Sequence, residues 1–355
     1  MKKNILPFTG LWLLMIVSLT FFLVACKTSS VSMEVLVPAQ INVPQHIKKV
    51  AIVNRSLPSK KDMFYNIVEG FFTGESIFGD REGSDNCVKG LANKLNANPR
   101  MGAVVISGHD LRGTGTREFP VPLDWGEVQK LCTEYQADAL ICLETFDSDV
   151  WFNKGMQEIN SKTKNDKDTI IHKYVAELKM NVNSGWRVYD PSTKKIVDEN
   201  SFMDEKGFKG EGVNEGEAMS KIPNKRDAIN TSGIFSGEMF GIRISPNWLW
   251  VSRSYYIRGD KGKQFKAAKK MVKKKNWDGA SQIWTKLSND PIPKVAGRAC
   301  FNLALASEMD GKLQEGLVWA NKAYGNYHLR AAGPYVNTLN RRIMDQDKLK
   351  EQMGK

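Results

Sequence analysis

Three short apolar runs, separated by segments with helical spacing, constrain the fold of this 355-residue chain more than any other sequence feature. The runs occupy residues 50–53, 101–108 and 139–143. Strands that are apolar at consecutive positions are typical of a sheet covered by helices on both faces, because both rows of side chains are then buried. The sequence therefore predicts an α/β domain, which we place at residues 47–258.

The second half of this domain shows a different periodicity. From residue 173 the segment KYVAELKMNVNSGWRVYDPSTKKIVDENSFMDE alternates with period two and is interrupted by a turn at residues 190–193. Alternation of this kind predicts a long β-hairpin with one half-solvated face. A helix is expected at residues 225–240 and a Trp/Tyr-rich strand at 248–256. We therefore predict a mixed sheet whose later strands are antiparallel.

Residues 262–355 form a second domain that is expected to be entirely helical. Two segments in it superpose at an offset of 36 residues. The aligned pairs are Phe265 and Phe301, Ala268 and Ala304, Trp277 and Leu313, Ala280 and Gly316, and Lys286 and Lys322. Small residues at such positions let the two helices of a hairpin approach closely. The pattern resembles the tetratricopeptide repeat, with an ordinary helical hairpin bundle as the alternative.

A stack of helical hairpins offers a concave groove, so we expect this domain to bind a peptide or a partner protein. The candidate partner-binding residues are Trp277, Trp284, Lys269, Lys270, Lys273 and Lys274. The lysines share one arc of a helix whose opposite side is apolar. They are interpreted either as a contact for an anionic surface (lipid headgroups, a polyanionic glycan or an acidic protein) or as a solvated face.

The first 25 residues have the plan of an export signal, with Lys2 and Lys3 followed by an apolar stretch and small residues. The segment LVAC, which ends at Cys26, resembles the bacterial lipobox. The resemblance implies cleavage before Cys26 and acylation of that residue, so that the chain is anchored in a membrane. Residues 26–46 are then an anchor and tether. We expect an outer-membrane lipoprotein, and the sequence leaves open which side of that membrane it faces.

The segments HIKKVAIVNRS, ADALICLETF and RISPNWLWVSRSYYIRGDKGKQFKAA resemble a family of Bacteroidota lipoproteins of unknown function that end in tetratricopeptide-like helices. The α/β domain is more distantly similar to one shared by the curli-secretion lipoprotein, the penicillin-binding-protein activator lipoprotein and the TolB N-terminal domain. These resemblances imply a protein that binds other proteins. One alternative is an oligomeric subunit of a curli-lipoprotein-like secretion or envelope assembly, with the long hairpin extending into a neighbour's sheet.

No catalytic motif is present in the sequence. The chain has four histidines, and none shows a zinc-ligand spacing. Glu144, Asp147 and Asp149 follow the third apolar run, at the edge where α/β sheets place active sites, so an enzyme with a site there is a second alternative. We expect no catalysis, no metal and no cofactor.

The chain carries a net charge of +12 and has four cysteines besides Cys26. A nucleic-acid partner is not expected for an exported lipoprotein, in spite of the basic charge. Cys87, Cys132, Cys142 and Cys300 are each interpreted as a small buried side chain. A disulfide between Cys132 and Cys142 is the alternative that an oxidising compartment permits.

Overall fold

The computed structural model describes residues 28–57, 74–109, 111, 113, 118–162, 168–259 and 263–354. Two compact units are present. We call residues 37–247 with 349–355 the α/β unit, and residues 1–36 with 248–348 the helical unit. Cys26, the predicted acylation site, lies outside the described residues.

Helices and strands follow one another along the chain. In order they are β1 (Thr28–Val37), β2 (Lys49–Asn54), α1 (Gly74–Asn96), β3 (Gly102–Val105), α2 (Trp125–Glu134), β4 (Ala139–Lys162), β5 (Asp168–Asp190), β6 (Lys195–Gly212), α3 (Glu215–Ser220), α4 (Lys225–Ile244), β7 (Asn247–Tyr256), α5 (Gln264–Lys273), α6 (Trp277–Leu287), α7 (Pro293–Met309), α8 (Leu313–Asn321) and α9 (Gly333–Met353). A π-helical turn over Lys322–Asn326 and a 3-10 turn over Arg330–Ala332 precede α9. The predicted mixed α/β domain followed by an all-helical region is confirmed, whereas its tetratricopeptide-like character stays a prediction.

The α/β unit is built on a five-stranded sheet of order β3-β2-β4-β5-β6. β2 pairs in parallel with β3 and β4, and β4-β5 and β5-β6 are antiparallel. The three apolar runs therefore form the parallel half, and the alternating segment forms the antiparallel half. The hairpin turns after Asp190, which pairs with Lys195, as the Asp-Pro-Ser-Thr sequence predicts.

Consecutive residues of the apolar strands face opposite layers of helices. Val50 and Ile52 belong to a cluster that includes residues of α1 and α4, whereas Ala51 and Val53 pack with residues of α2. This two-sided burial explains why the strands show no polar alternation.

Helices α1 and α4 approach each other at glycines. A Cβ atom at Gly237 would overlap the carbonyl oxygen of Cys87, and one at Gly90 would overlap the carbonyl oxygen of Ile234. The crossing therefore brings backbone against backbone and does not admit a larger residue at either position.

The third apolar run continues much further than predicted. The expected strand ended at Leu143, but β4 extends for 24 residues to Lys162 and pairs with β5 up to Asp168. The extension was missed because side chains at 149–159 are exposed on both faces of the ribbon, so no buried row imposes a pattern.

In the helical unit, β1 and β7 form a two-stranded sheet. The expectation that the strand at 248–256 belongs to the antiparallel half of the α/β domain is wrong. Its inward side chain Tyr255 is 2% exposed and contacts Trp284, with ring centroids 6.3 Å apart, so the strand packs on the helices. The segment 26–46, expected as a tether with a short strand at 33–37, contains all of β1.

Helices α5 and α6 form one hairpin, and α7 and α8 form a second. A Cβ atom at Gly316 would lie 3.0 Å from the carbonyl oxygen of Ala304, so these small residues do mark a close helix approach. The core around them contains Phe265, Ala268 and Trp284.

A buried carboxylate joins β7, α7 and α9. Glu308 is 1% exposed. Its Oε2 accepts hydrogen bonds from Arg253 Nε at 2.9 Å and from the Tyr335 hydroxyl at 2.6 Å. Its Oε1 accepts from Arg253 Nη2 at 3.0 Å and from Arg342 Nη1 at 2.7 Å. Such a cluster fixes the relative positions of the three elements.

Candidate functional site

A cleft opens between α6, α7 and α8 of the helical unit and encloses a cavity of about 170 Å³. Its aromatic and charged lining consists of Trp277, Trp319, Asp278, Asp310, Glu315 and Lys312. Serine and threonine hydroxyls of α6 and α7 line the rest, with Leu303 and Ala306. A shallower depression along α6 shares Asp278, Ser281 and Thr285 with the cavity. We call the cavity and the depression together the acidic cleft.

Two lysines of the chain hold their ammonium groups close to an aspartate and a tryptophan of the acidic cleft. Lys312 Nζ lies 2.7 Å from Asp310 Oδ2. The hydrogen bond and charge of Asp310, with the charges of Glu315 and Asp278, raise the pKa of Lys312. Lys322 Nζ lies 5.4 Å from the centroid of the Trp319 ring. Within the chain, one carboxylate and one aromatic ring of the cleft lining thus each contact an ammonium group.

The structure separates the two tryptophans that we singled out from the sequence. Trp277 is half-buried and lines the acidic cleft. Trp284 is completely buried in the core, where its ring centroid lies 6.4 Å from that of Trp277. Trp284 therefore supports Trp277 from below and cannot itself contact a partner in this conformation.

The candidate lysines lie on α5 and not in the acidic cleft. Lys270, Lys273 and Lys274 are exposed, and Lys269 is half-buried. The buried residues of the same helix are Phe265, Ala268 and Val272, so the lysines occupy the face turned away from the core.

Sequence reasoning missed the residues that give the acidic cleft its charge. Asp278, Asp310 and Glu315 come from three different helix ends, and only the packing of the two hairpins brings them together. The sequence contains one clue to this charge, because Asp278 directly follows Trp277, a candidate partner-binding residue.

The alternative enzyme site centres on Glu144, which is fully buried where β4 passes the end of β2. Its carboxylate accepts hydrogen bonds from Arg55 Nη1, at 2.7 and 3.0 Å, and from the Tyr189 hydroxyl at 3.1 Å. Arg187 Nη1 lies 3.5 Å from Glu144 Oε1 and donates to Pro120 O at 2.6 Å. Burial raises the pKa of Glu144, and Arg55 and Arg187 oppose that rise. Because its oxygens already have partners, the group has the arrangement of a structural ion cluster.

Asp147 and Asp149 do not join this cluster. Asp147 is half-buried and Asp149 is exposed, further along β4. The three carboxylates therefore differ in burial along β4, and an enzyme site at this edge of the sheet stays a prediction.

A Ser-His-Asp contact in the α/β unit also lacks catalytic geometry. His46 Nε2 lies 3.2 Å from both Asp190 Oδ2 and Ser192 Oγ. A catalytic histidine uses its two ring nitrogens separately, one toward the nucleophile and the other toward the acid. Asp190 also accepts hydrogen bonds from Ser192 and Thr193, as in a capped turn.

The cysteines described by the structure are buried and free. The disulfide between Cys132 and Cys142 is not formed, and both thiols lie in the apolar cluster beneath α2. Burial raises the pKa of Cys132 to about 11 and that of Cys300 to about 11, which keeps these thiols protonated and unreactive.

Neither a metal site nor a membrane-spanning helix is present among the residues that the structure describes. No group of three or more His, Cys, Asp or Glu side chains is arranged to hold a metal ion among them. None of the helices in that part of the chain is both long and apolar enough to cross a membrane.

Comparison with solved structures gives weak likenesses only. The PelC dodecamer from Paraburkholderia phytofirmans is 10% identical, with a TM-score of 0.22, and the match covers 61% of this chain and 99% of that one. A putative neuraminyllactose-binding hemagglutinin homolog from Helicobacter pylori is 13% identical, with a TM-score of 0.24, and covers 57% of this chain and 84% of that one. Scores this low support no argument about shared function. No curated protein matches the sequence.

Two family models match the chain. Residues 266–344, within the helical unit, match Domain of unknown function (DUF6340). The lipoprotein and tetratricopeptide-like characters predicted from the sequence stay predictions beside this result. Residues 47–256 match Domain of unknown function (DUF8603), and since this match spans more than half of the sequence, the chain belongs to the DUF8603 family.

Proposed function

We propose that the protein is a non-catalytic, lipid-anchored binding protein of the cell envelope whose acidic cleft binds a cationic side chain of a partner protein. The observation that carries this proposal is the combination of Trp277 and Trp319 with three carboxylates in one cleft. Aromatic faces and carboxylates both attract Lys or Arg, and their sum is selective for a cation that also has an apolar stem.

The cavity, taken without the adjoining depression, has room for about one side chain. Its volume of about 170 Å³ is close to that of an engineered cavity that accepts a benzene-sized ligand. Pockets for drug-sized molecules occupy about 300–1,000 Å³. The adjoining depression along α6 has a volume of about 650 Å³ and lies open to solvent, so it has room for the rest of a peptide whose anchoring side chain occupies the cavity.

The lipobox-like segment that ends at Cys26 supports the lipid anchor in this proposal. Two or more acyl chains give stable membrane attachment, and the resemblance to a Bacteroidota lipoprotein family supports an outer-membrane location. The proposed protein therefore holds a partner at a membrane without acting on it chemically.

Site-directed photo-crosslinking in intact cells tests the role of the cleft. A photoreactive amino acid at Ser281 lies inside the acidic cleft, and one at the exposed Gln314 is the positional control. We expect a crosslink from Ser281 to a partner segment that contains Lys or Arg, and none from Gln314. D278N/E315Q removes two cleft carboxylates and should abolish that crosslink.

The matched control is E34Q/D345N, which makes the same change of charge in the helical unit outside the cleft lining. It should leave the crosslink intact. A crosslink that survives D278N/E315Q, or a captured segment without basic residues, would contradict cation recognition in the cleft.

A second candidate function is that of an oligomeric subunit of an envelope assembly, and the β4-β5 ribbon favours it. Large apolar side chains on this ribbon are 41–58% exposed: Val150, Trp151, Phe152, Met156, Ile159, Ile170 and Ile171. Apolar side chains grouped in this way commonly mark an interaction surface. If they mediate self-association, W151S/F152S should lower the native mass in detergent, whereas the exposed-site control V121S/M344S should not.

A further inference from the structure

The outer face of α5 carries a dense basic patch. Seven lysines lie within residues 263–275, and those at 266, 270, 273 and 274 are exposed side by side on the helix. We call these four residues, with the half-buried Lys269, the α5 lysine face. Because Phe265, Ala268 and Val272 hold the opposite side in the core, the orientation of the lysines is fixed.

The charges of the α5 lysine face are not neutralised within the described part of the protein. Some exposed lysines elsewhere, such as Lys154, Lys209 and Lys221, form ion pairs with glutamates. No lysine of the α5 lysine face pairs with a described carboxylate. The surface therefore presents a concentrated positive potential to whatever lies outside it.

This arrangement works against the stability of the helix itself. Lys266 and Lys270, and Lys270 and Lys274, are like charges four residues apart, which repel each other on a helix surface. The helix dipole disfavours a cation at Lys266 in the first turn of α5 and favours one at Lys270 and Lys273 in the last turn. A face intended only for solubility is better served by mixed charges, so the arrangement favours an external anionic partner.

β1 joins the start of the described chain to the apolar core of the helical unit, to which α5 also contributes. The Ser29 side chain hydrogen-bonds to the Tyr255 hydroxyl. Tyr255 belongs to the same apolar cluster as Phe265 and Ala268 of α5, and Val31 packs against that cluster. Cys26 precedes Ser29 by three residues, a span of at most about 11 Å.

We infer that the α5 lysine face rests on anionic lipid headgroups of the membrane leaflet in which Cys26 is anchored. This inference rests on the lipid anchor of the proposed function and adds the surface that faces the bilayer. Basic residues beside an acyl anchor are attracted to anionic lipids, and an acyl chain with a basic patch forms a two-part membrane attachment. Contact through the lysines would also orient the helical unit on the membrane.

Amine labelling of the membrane-bound full chain tests the contact directly. The protein is reconstituted into vesicles of phosphatidylcholine alone or with 30% phosphatidylglycerol, added to give an anionic surface. Mass spectrometry then follows the labelling rate of each lysine. We expect Lys266, Lys270, Lys273 and Lys274 to be labelled several-fold more slowly on the anionic vesicles, with recovery in 0.5 M NaCl, where the Debye length is about 4 Å.

Four exposed lysines of the α/β unit serve as internal controls, and none of them pairs with a described carboxylate. They are Lys48, Lys89, Lys195 and Lys225. Their rates should be equal on the two kinds of vesicle. Equal rates for the α5 lysine face would overturn the inference, as would protection that appears only with a soluble polyanion or an acidic protein.

A pair of variants separates this inference from the anchor. K266Q/K270Q/K273Q/K274Q and the charge-matched K48Q/K89Q/K195Q/K225Q are prepared from residue 26 onward with Cys26→Ser, which retains every described residue. Cosedimentation with the anionic vesicles should fall about tenfold or more for the first variant only. If both variants lose binding equally, or if neither loses it, the lysine contact is contradicted. An unacylated Cys26 in the native protein contradicts only the anchor.

Discussion

Glu308 and Glu144 are both enclosed carboxylates, yet their surroundings shift their pKa values in opposite directions. Burial tends to raise the pKa of Glu308, but hydrogen bonds from Arg253, Tyr335 and Arg342 outweigh it and hold that pKa below the ordinary value. For Glu144 burial is the dominant cause and its pKa is raised. The number and geometry of the donors decide which effect wins at each residue.

Replacing Glu308 with Gln should destabilise the helical unit. The amide keeps the shape of the side chain but leaves Arg253 and Arg342, which are 18% and 19% exposed, without their counter-charge. Breaking one side of a largely buried ion cluster costs about 3 kcal/mol. Denaturant unfolding of E308Q measures this loss. The exposed Glu315→Gln should change the unfolding free energy by less than about 0.5 kcal/mol.

The same residue predicts a pH dependence. Because the folded pKa of Glu308 lies below its ordinary value of 4.5, its contribution is complete above that value and is lost as the pH falls through the folded pKa. The difference in unfolding free energy between the parent protein and E308Q should therefore be constant near neutrality and shrink below about pH 4.5. A difference that is independent of pH down to pH 3 would contradict the assignment.

At the residue scale the sequence showed which side chains are unusual but not where they lie. Trp277 and Trp284 were equivalent candidates, since both fall on α6. They are seven residues apart and share a helix face, so what separates them is depth: Trp284 meets Tyr255 of β7, and Trp277 sits at the rim. Depth depends on tertiary packing, which periodicity does not report.

At the scale of elements, the close packing of α1 against α4 is the tightest constraint in the α/β unit. Gly233, Gly237 and Gly241 recur every fourth residue and lie along one face of α4. At Gly237 the neighbouring atoms are main-chain atoms of α1, which cannot move without shifting that helix. There is therefore almost no room for a side chain where α1 and α4 cross.

Gly237→Ala should force the two helices apart. Overpacking of this kind costs about 1–3 kcal/mol or more, despite the better helix propensity of alanine. Urea denaturation is the measurement. Gly216→Ala in α3, where the new Cβ has only an ordinary contact at 3.5 Å, should be neutral or stabilising. Equal stability of the two variants would show that the crossing is looser than described.

Helices and strands could be predicted where the burial of their side chains leaves a recognisable pattern in the sequence. The apolar strand β2 and the start of β4 were found because both their faces are covered, and the turn after Asp190 because Asp and Pro favour it. The outer half of β4 and the pairing of β7 with β1 were not. The outer half of β4 has no row of buried side chains that would set a pattern. The pairing of β7 with β1 depends on the surface against which the Tyr255 side chain packs, and that surface comes from distant parts of the sequence.

At the scale of the whole molecule, negative and positive charges are concentrated at different sites. The chain carries a net charge of +12, yet the acidic cleft concentrates carboxylates while α5 concentrates lysines. Both features belong to the helical unit. Such a unit presents a negative potential at one site and a positive potential at another, which attract a cationic partner and an anionic surface respectively.

Cys26→Ser tests the premise on which this two-surface arrangement depends. Acylation at Cys26 should add the mass of the lipid to the mature chain and place it in the detergent phase of a Triton X-114 extract. The variant should keep its leader or remain unacylated, because serine offers no thiol for the lipid. A nearby control, Lys27→Gln, changes charge but keeps the thiol and should be processed normally. If the parent chain shows no added mass, or if C26S partitions and anchors like the parent, membrane attachment does not run through Cys26, and the lysine face of α5 would have to attract the membrane alone.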